Sequence, residues 1–232
     1  MAFSPDFGAF FVESLPGRVY TLLLNIIVAL VMVAVSYAAY RRVVLQVSRL
    51  TPSLEAVFIL GMIFMLCLTD FMFEGSLLAM DMAHAGWAPI SALFAAALKT
   101  YNMPPEVVLG IGNASYLFHL FLILLFLNFL PYGKHFHIFT FLPNVFFMRT
   151  TPLGQLRTLN LEDPNATSFG TATVTDMTWK DLLDVATCTE CGRCSAVCPA
   201  FNTGKVLSPK QINIDEREFI RKEFHLGNAN SH

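Results

Sequence analysis

Charge is what this sequence has least of. Only 14% of its 232 residues are Asp, Glu, Lys or Arg, against about 25% in an ordinary soluble domain. A chain that is 55% hydrophobic, with 22 Phe and a mean hydropathy of +0.56, is not a soluble globular protein throughout. A basic excess is missing as well. The net charge of -2 and the pI near 6.3 leave no electrostatic footprint for nucleic acid. There is no internal repeat, no collagen-like or low-complexity stretch, and no even spread of cysteines of the kind that staples secreted domains. Four of the five Cys lie between Cys188 and Cys198, and Cys67 stands alone in an apolar run. Clustered thiols in a membrane protein point to a metal centre.

Long apolar runs are abundant. A helix needs about 20 residues to cross the hydrocarbon core, and three stretches meet that length: residues 19–40, without any charge and closed by Arg41 and Arg42; residues 54–73, interrupted only by Glu55 and Asp70; and residues 107–131, ended by Pro131 and Gly133. Two shorter runs, 87–98 and 138–148, are read as surface-lying or re-entrant helices. The expected fold is therefore mainly α: a bundle of three spans with interfacial helices, followed by a small cytoplasmic, α-helical, ferredoxin-like domain present in part.

Basic residues set the orientation. Arg41, Arg42 and Arg49 follow the first span, and Lys134, Arg149 and Arg157 follow the third, while the first 17 residues carry Asp6 and Glu13 and no Lys or Arg. The positive-inside rule places the N-terminus outside and the chain after Lys134 in the cytoplasm, which fits three spans of the cytoplasmic (inner) membrane. With no basic segment ahead of the first apolar run, that run is expected to stay as an anchor. Of the 15 basic and 17 acidic side chains, 14 fall in residues 1–150 and 18 in 151–232. The expected organisation is a transmembrane domain over 1–150, a Pro-, Gly-, Asn- and Thr-rich linker over 151–177, and an iron-sulfur domain over 178–232. Within the last, 179–187 reads as a short helix and 208–225 as one charged helix.

CTECGRCSAVCP places Cys188, Cys191, Cys194 and Cys198 in a C-x2-C-x2-C-x3-C-P run. Three thiolates two residues apart wrap one corner of a [4Fe-4S] cubane, and Gly192 permits close backbone approach. A zinc ribbon pairs two separated C-x2-C hooks and has no need of a fourth Cys before Pro. In paired-cluster motifs that fourth Cys ligates the other cluster, so Cys198 is expected to serve a neighbour. The remaining ligands then come from a continuation of the chain or from a partner, and a single cluster held by all four is the alternative.

Six His are present. His119 lies inside the third span, where an ionisable side chain marks a functional candidate; haem ligation and helix-packing hydrogen bonding are its two readings. His135 and His137 follow Pro131 at the cytoplasmic rim. Eighteen residues of helix span up to about 27 Å, so His119 and His137 cannot share one haem. The first two spans offer no His, and His84 alone within the chain is placed to pair with His119. Asp70 and Glu74, four apart on one helical face, are read as a solvated helix end rather than a proton path. Asn25, Asn113 and Asn128 are read as packing or interhelix hydrogen-bonding residues.

Residues 178–209, TWKDLLDVATCTECGRCSAVCPAFNTGKVLSP, resemble the first cluster motif of heterodisulfide reductase-related membrane iron-sulfur oxidoreductases, including the type that carries electrons from electron-transfer flavoprotein to menaquinone. HLFLILLFLNFLPYGKHFHI, residues 119–138, is similar to the last haem-bearing helix of the respiratory nitrate reductase gamma subunit. The resemblance implies haem b ligation by His119 and His137, a quinone as redox partner, and a soluble flavoprotein or similar donor alongside other membrane or iron-sulfur subunits. Two features of that family are missing: a further N-terminal helix with partner His residues, and a second C-x2-C-x2-C-x3-C-P motif with CCG repeats. The chain is accordingly expected to be cut short or to act as a split subunit. The expected function is a quinone-linked oxidoreductase subunit, passing electrons between a cytoplasmic donor and haem b or quinone through a [4Fe-4S] cluster. The alternative is a membrane anchor and electron wire with no haem or quinone site of its own.

Overall fold

A computed structural model describes residues 14–47, 50, 53–82, 87–132, 134–152, 161–162, 164, 170–171 and 173–229. His84, and most of the linker expected over 151–177, lie outside the described residues. Two compact units emerge, one drawn from Met1–Val47 with Pro52–Phe129 and one from Ser48–Thr51 with Leu130–His232.

The first unit holds α1 (Leu15–Val43), α2 (Leu54–Ala79), α3 (Pro89–Thr100) and α4 (Pro105–Phe129). Each start has a local cause. Ser14 caps α1 by accepting from the Gly17 N–H at 3.1 Å, and Ser53 caps α2 by accepting from the Ala56 N–H at 3.2 Å. Pro89 opens α3, where its missing N–H costs nothing. Three helices are long and apolar enough to cross a membrane: Leu15–Val43, Leu54–Ala79, and Pro105–Tyr132, in which α4 runs on into a 3-10 turn. The chain is thus a multi-pass membrane protein by helix length and composition.

Helix α2 is the hub of this unit, packing against α1, α3 and α4. Small residues allow the close approach. A Cβ on Gly75 would stand 2.7 Å from Phe94 Cδ1 and 2.9 Å from the Ser91 carbonyl oxygen, and one on Gly112 would stand 3.1 Å from Ser76 Cβ. The run expected over 87–98 is α3, seated on α2 and α1 with Ser91, Ala95 and Leu98 buried. Most of α1 turns outward, including Leu23, Ile27 and Leu30, as suits a lipid-facing helix.

The second unit is built from α5 (His137–Phe146), α6 (Trp179–Thr187), α7 (Arg193–Val197), α8 (Pro199–Asn202) and α9 (Pro209–Ala229), with 3-10 turns at Leu130–Tyr132, Lys134–Phe136 and Val174–Asp176. Helix α5 is the run expected over 138–148. It packs on α6 through a hydrogen bond from Thr187 Oγ1 to Thr140 Oγ1 at 3.0 Å, the edge-on Phe147 and Trp179 rings, and Lys180, which donates to both Asn144 and Asp184.

A ferredoxin-like domain over 178–232 is not what forms. Among the described residues there is no β-strand, whereas a ferredoxin-like fold carries strands. The physical reason lies in the start signals. Thr178 and Asp181 form a capping box at α6, Pro199 opens α8, and α9 begins at Pro209. The pieces that flank the cysteine turn thus begin as helices.

Candidate functional site

The cysteine segment is carried from α6 into α7 and α8. Cys188 caps the C-terminus of α6, its N–H donating to the Val185 carbonyl at 3.2 Å. The chain then reverses through two left-handed residues, Glu190 (φ 55°) and Gly192 (φ 72°). Gly192 takes that conformation freely; Glu190 is held in it. Cys194 lies on α7, and Cys198 ends α7 and starts α8 ahead of Pro199.

What holds Glu190 is Arg217 of α9. The Arg217 side chain donates from Nη1 to the Cys188 carbonyl oxygen at 2.9 Å and from Nη2 to the Glu190 carboxylate. The two charged side chains are only 11% and 7% exposed. One guanidinium thus fixes both ends of the Cys188–Glu190 turn. A second tie fastens the start of α9 to α7: Ser195 Oγ accepts from the Lys210 N–H at 3.1 Å. Neither Arg217 nor Glu190 stands out in the sequence, because 27 residues separate the pair and no local spacing rule links them.

Cys191 and Cys194 are exposed, and Cys188 and Cys198 are half-buried. The Arg193 backbone N–H, donating to the Cys191 sulfur, pulls that thiol below its ordinary value; burial opposes the shift, and the Thr189 hydroxyl and the Arg193 charge add to it. A thiolate is the form that ligates iron. Tested against an iron-sulfur cluster, the donor set fits in chemistry: four thiols within one eleven-residue segment, a glycine in the left-handed region, and a thiolate-favouring position at Cys191. Their placement is less advanced, since among the described residues no three His, Cys, Asp or Glu side chains are gathered as a metal site.

The histidines are divided between the units. In the first, His119 Nδ1 lies 2.8 Å from Thr69 Oγ1. The Thr69 hydroxyl also lies 2.9 and 3.0 Å from the Met65 and Leu66 carbonyl oxygens, and which of Thr69 and His119 donates follows the imidazole tautomer. In the second, the His135 and His137 rings are 5.7 Å apart. Tested against a haem held by two imidazoles, the described residues of the membrane unit supply His119 alone; a bis-histidine pair is not formed there.

Glu74 is not a solvated helix end. Its Oε2 accepts from Asn25 Nδ2 at 2.8 Å and from Ser91 Oγ at 2.6 Å, while Asn25 Oδ1 accepts from the Ile90 N–H at 2.9 Å. Asn25 is 2% exposed and makes the interhelix bonds expected of it. Asn128 instead donates to Leu124 in its own helix, and Asn113 is exposed.

The chain combines membrane-length helices with a clamped four-cysteine turn. The iron-sulfur connection comes from comparison with known proteins. The chain is 32% identical over 231 residues, 94% of its length, to the Bacillus subtilis "Probable iron-sulfur-binding oxidoreductase FadF". It is 32% identical over 66% of its length to the Syntrophomonas wolfei "EtfAB:quinone oxidoreductase", and 46% identical over 57 residues to the Chromohalobacter salexigens "Probable membrane-anchored ferredoxin". The chain is homologous to these iron-sulfur oxidoreductases and membrane ferredoxins. It spans 32% of the length of the first relative, 22% of the second and 8% of the third. No family model and no solved structure matches it.

Proposed function

We propose that this chain is the membrane anchor and electron wire of a larger redox complex. The observation that carries the reading is the C-x2-C-x2-C-x3-C-P turn clamped by Arg217, next in sequence to membrane-length helices. In this reading Cys188, Cys191 and Cys194 hold one [4Fe-4S] cluster, and Cys198 serves a neighbouring cluster completed by further chain or by a partner subunit. When bound, such a cluster supplies one-electron transfer. The protein's own part is to fix the turn through Arg217 and Glu190, to favour the thiolate at Cys191, and to hold the segment at the membrane. The working division is a membrane part over 1–150, a connection over 151–177 and an iron-sulfur part over 178–232. In this reading the N-terminus is outside and the cysteines are in the cytoplasm, facing a soluble flavoprotein or similar donor.

His119 favours a second reading, in which electrons pass onward to haem b or quinone within the membrane. Its Nδ1 is engaged with Thr69, which leaves Nε2 as the ring nitrogen that would ligate a metal. A second ligand would come from outside the described residues of this unit, and His137 would serve a separate haem.

One preparation tests both. In the complex purified with its natural partners, iron and acid-labile sulfide are expected, and both should fall on Cys188→Ser or Cys194→Ser. Their absence from the wild-type complex would refute the wire reading. The same sample reads the haem question: low-spin haem bands lost on His119→Ala would favour the second reading, and a spectrum without them the anchor.

A further inference from the structure

We infer that the outer face of α5 is a second membrane contact: the helix lies in the lipid interface with Phe139, Leu142, Val145 and Phe146 toward the acyl chains, and through α6 it seats the start of the cysteine turn at the membrane surface. This contact goes beyond the electron-wire reading and needs no bound cluster. A short apolar run suggests a surface-lying helix; the fold adds which face meets lipid and what that face carries.

By the standards of a water-soluble domain, α5 is inside out. Its sequence, HIFTFLPNVF, contains no Asp, Glu, Lys or Arg. Thr140 and Asn144, one turn apart, both face the protein: Thr140 is buried with its Oγ1 3.0 Å from Thr187 Oγ1, and Asn144 accepts from the buried Lys180. The 3.6-residue period puts Phe139, Leu142, Val145 and Phe146 away from that side. Leu142 is 66% exposed, Val145 61% and Phe146 80%. An amphipathic helix on a soluble domain buries its apolar stripe and shows its polar residues to water, and α5 does the reverse. A contiguous apolar face of this kind marks an interaction surface.

Lipid is favoured over a second protein on three grounds. Helix α5 begins five residues after Tyr132, where the membrane-length helix Pro105–Tyr132 ends, and five residues of extended chain reach at most about 18 Å. The helix therefore starts close to where a span leaves the hydrocarbon. No polar side chain interrupts the outer face, whereas a protein interface carries hydrogen bonds and a polar rim; acyl chains ask for neither. At the border of the face stand groups suited to the headgroup level. Trp179 is exposed and set edge-on to Phe147, with ring centroids 5.1 Å apart, and the exposed Arg149 lies 3.5 Å from Asp181. Trp and Arg are residues of the membrane–water boundary.

The contact has a consequence for the cysteines. Helix α6 is tied to α5 at both ends, by Trp179 and Lys180 at its start and by Thr187 at its finish. Thr187 directly precedes Cys188, whose carbonyl is held by Arg217. A lipid seat on α5 thus sets the height of the first cysteine above the membrane, as a covalent tether alone would not. Thr140, Asn144, Lys180 and Thr187 act here as positioning residues.

Photoreactive benzoylphenylalanine, placed singly in native membranes carrying the intact complex, tests the contact. The positions are Leu142 and Phe146 on α5, Leu30 on the outward side of α1, and Gln211 on α9. All four side chains are exposed, so the replacements leave packing intact. Leu30 sets the yield for a residue in the bilayer and Gln211 sets the background. After irradiation, peptides containing position 142 or 146 are expected to gain the mass of a phospholipid at a yield near that of Leu30, and those containing position 211 to gain none. The same replacement at Trp179 should also give phospholipid adducts, since it brings the start of α6 to the same surface. Cross-links from Leu142 or Phe146 to another protein or to a second copy of this chain, or a lipid yield no greater than at Gln211, would overturn the proposal. A background yield at Trp179 would overturn the seating of α6.

Discussion

At the scale of single residues, the chemistry divides into what a spacing rule reveals and what only the fold assembles. Cys188, Cys191, Cys194 and Cys198 are legible at once because their meaning lies in their spacing. Arg217 is not, because its partner Glu190 and its acceptor, the Cys188 carbonyl, are reached from a different helix. Glu74 misleads for a related reason: from the sequence it is a carboxylate near a helix end, and only the arrival of Asn25 and Ser91 makes it a hydrogen-bonded interior group. The Arg217–Glu190 pair carries a prediction. Removing one partner from a buried pair leaves the other charge uncompensated, typically costing about 3–5 kcal/mol, whereas replacing both with apolar groups costs far less. Arg217→Ala should therefore lower the unfolding temperature of the second unit and its iron content, and Arg217→Met combined with Glu190→Leu should recover most of the stability. Equal loss in both variants, read by thermal melts of the purified complex, would show that the pair is not what holds the turn.

At the scale of elements, the three spans and the short helices over 179–187 and 208–225 are readable because apolar length and capping residues are local properties. The ferredoxin-like expectation fails because it is transferred from the cysteine spacing, and spacing speaks to ligation rather than to strands; the capping box at Thr178 and Asp181 argues for helix. How closely the spans pack is not readable, since a glycine in an apolar run looks the same whether it touches a neighbour or lipid. A graded series tests the packing. Gly61, where an added Cβ would meet nothing within 4 Å, should accept Ala with no loss of stability. Gly112→Ala, 3.1 Å from Ser76 Cβ, should cost little, and Gly75→Ala, against the Ser91 backbone and Phe94, should cost about 1–3 kcal/mol as overpacking does. Thermal stability in detergent gives the order directly, and a Gly61 variant as damaged as the Gly75 variant would contradict α2 as the hub.

At the scale of the whole molecule, the scarcity of charge averages two unlike parts. One is a bundle in which the carboxylate of Glu74 is tied to Asn25 and Ser91 of neighbouring helices. The other is a helical unit in which Lys180 and Arg217 are drawn into buried ties. Similarity along 94% of the chain to an oxidoreductase of which it spans 32% suits a part of a longer electron path. That path is what the account claims, and electron paramagnetic resonance of native membranes tests it most directly. Chemically reduced membranes carrying the intact complex should show the signal of a reduced [4Fe-4S] cluster, abolished in Cys191→Ser and altered by Arg217→Ala. A reduced wild-type complex with no iron-sulfur signal, or a signal unchanged in Cys191→Ser, would contradict it.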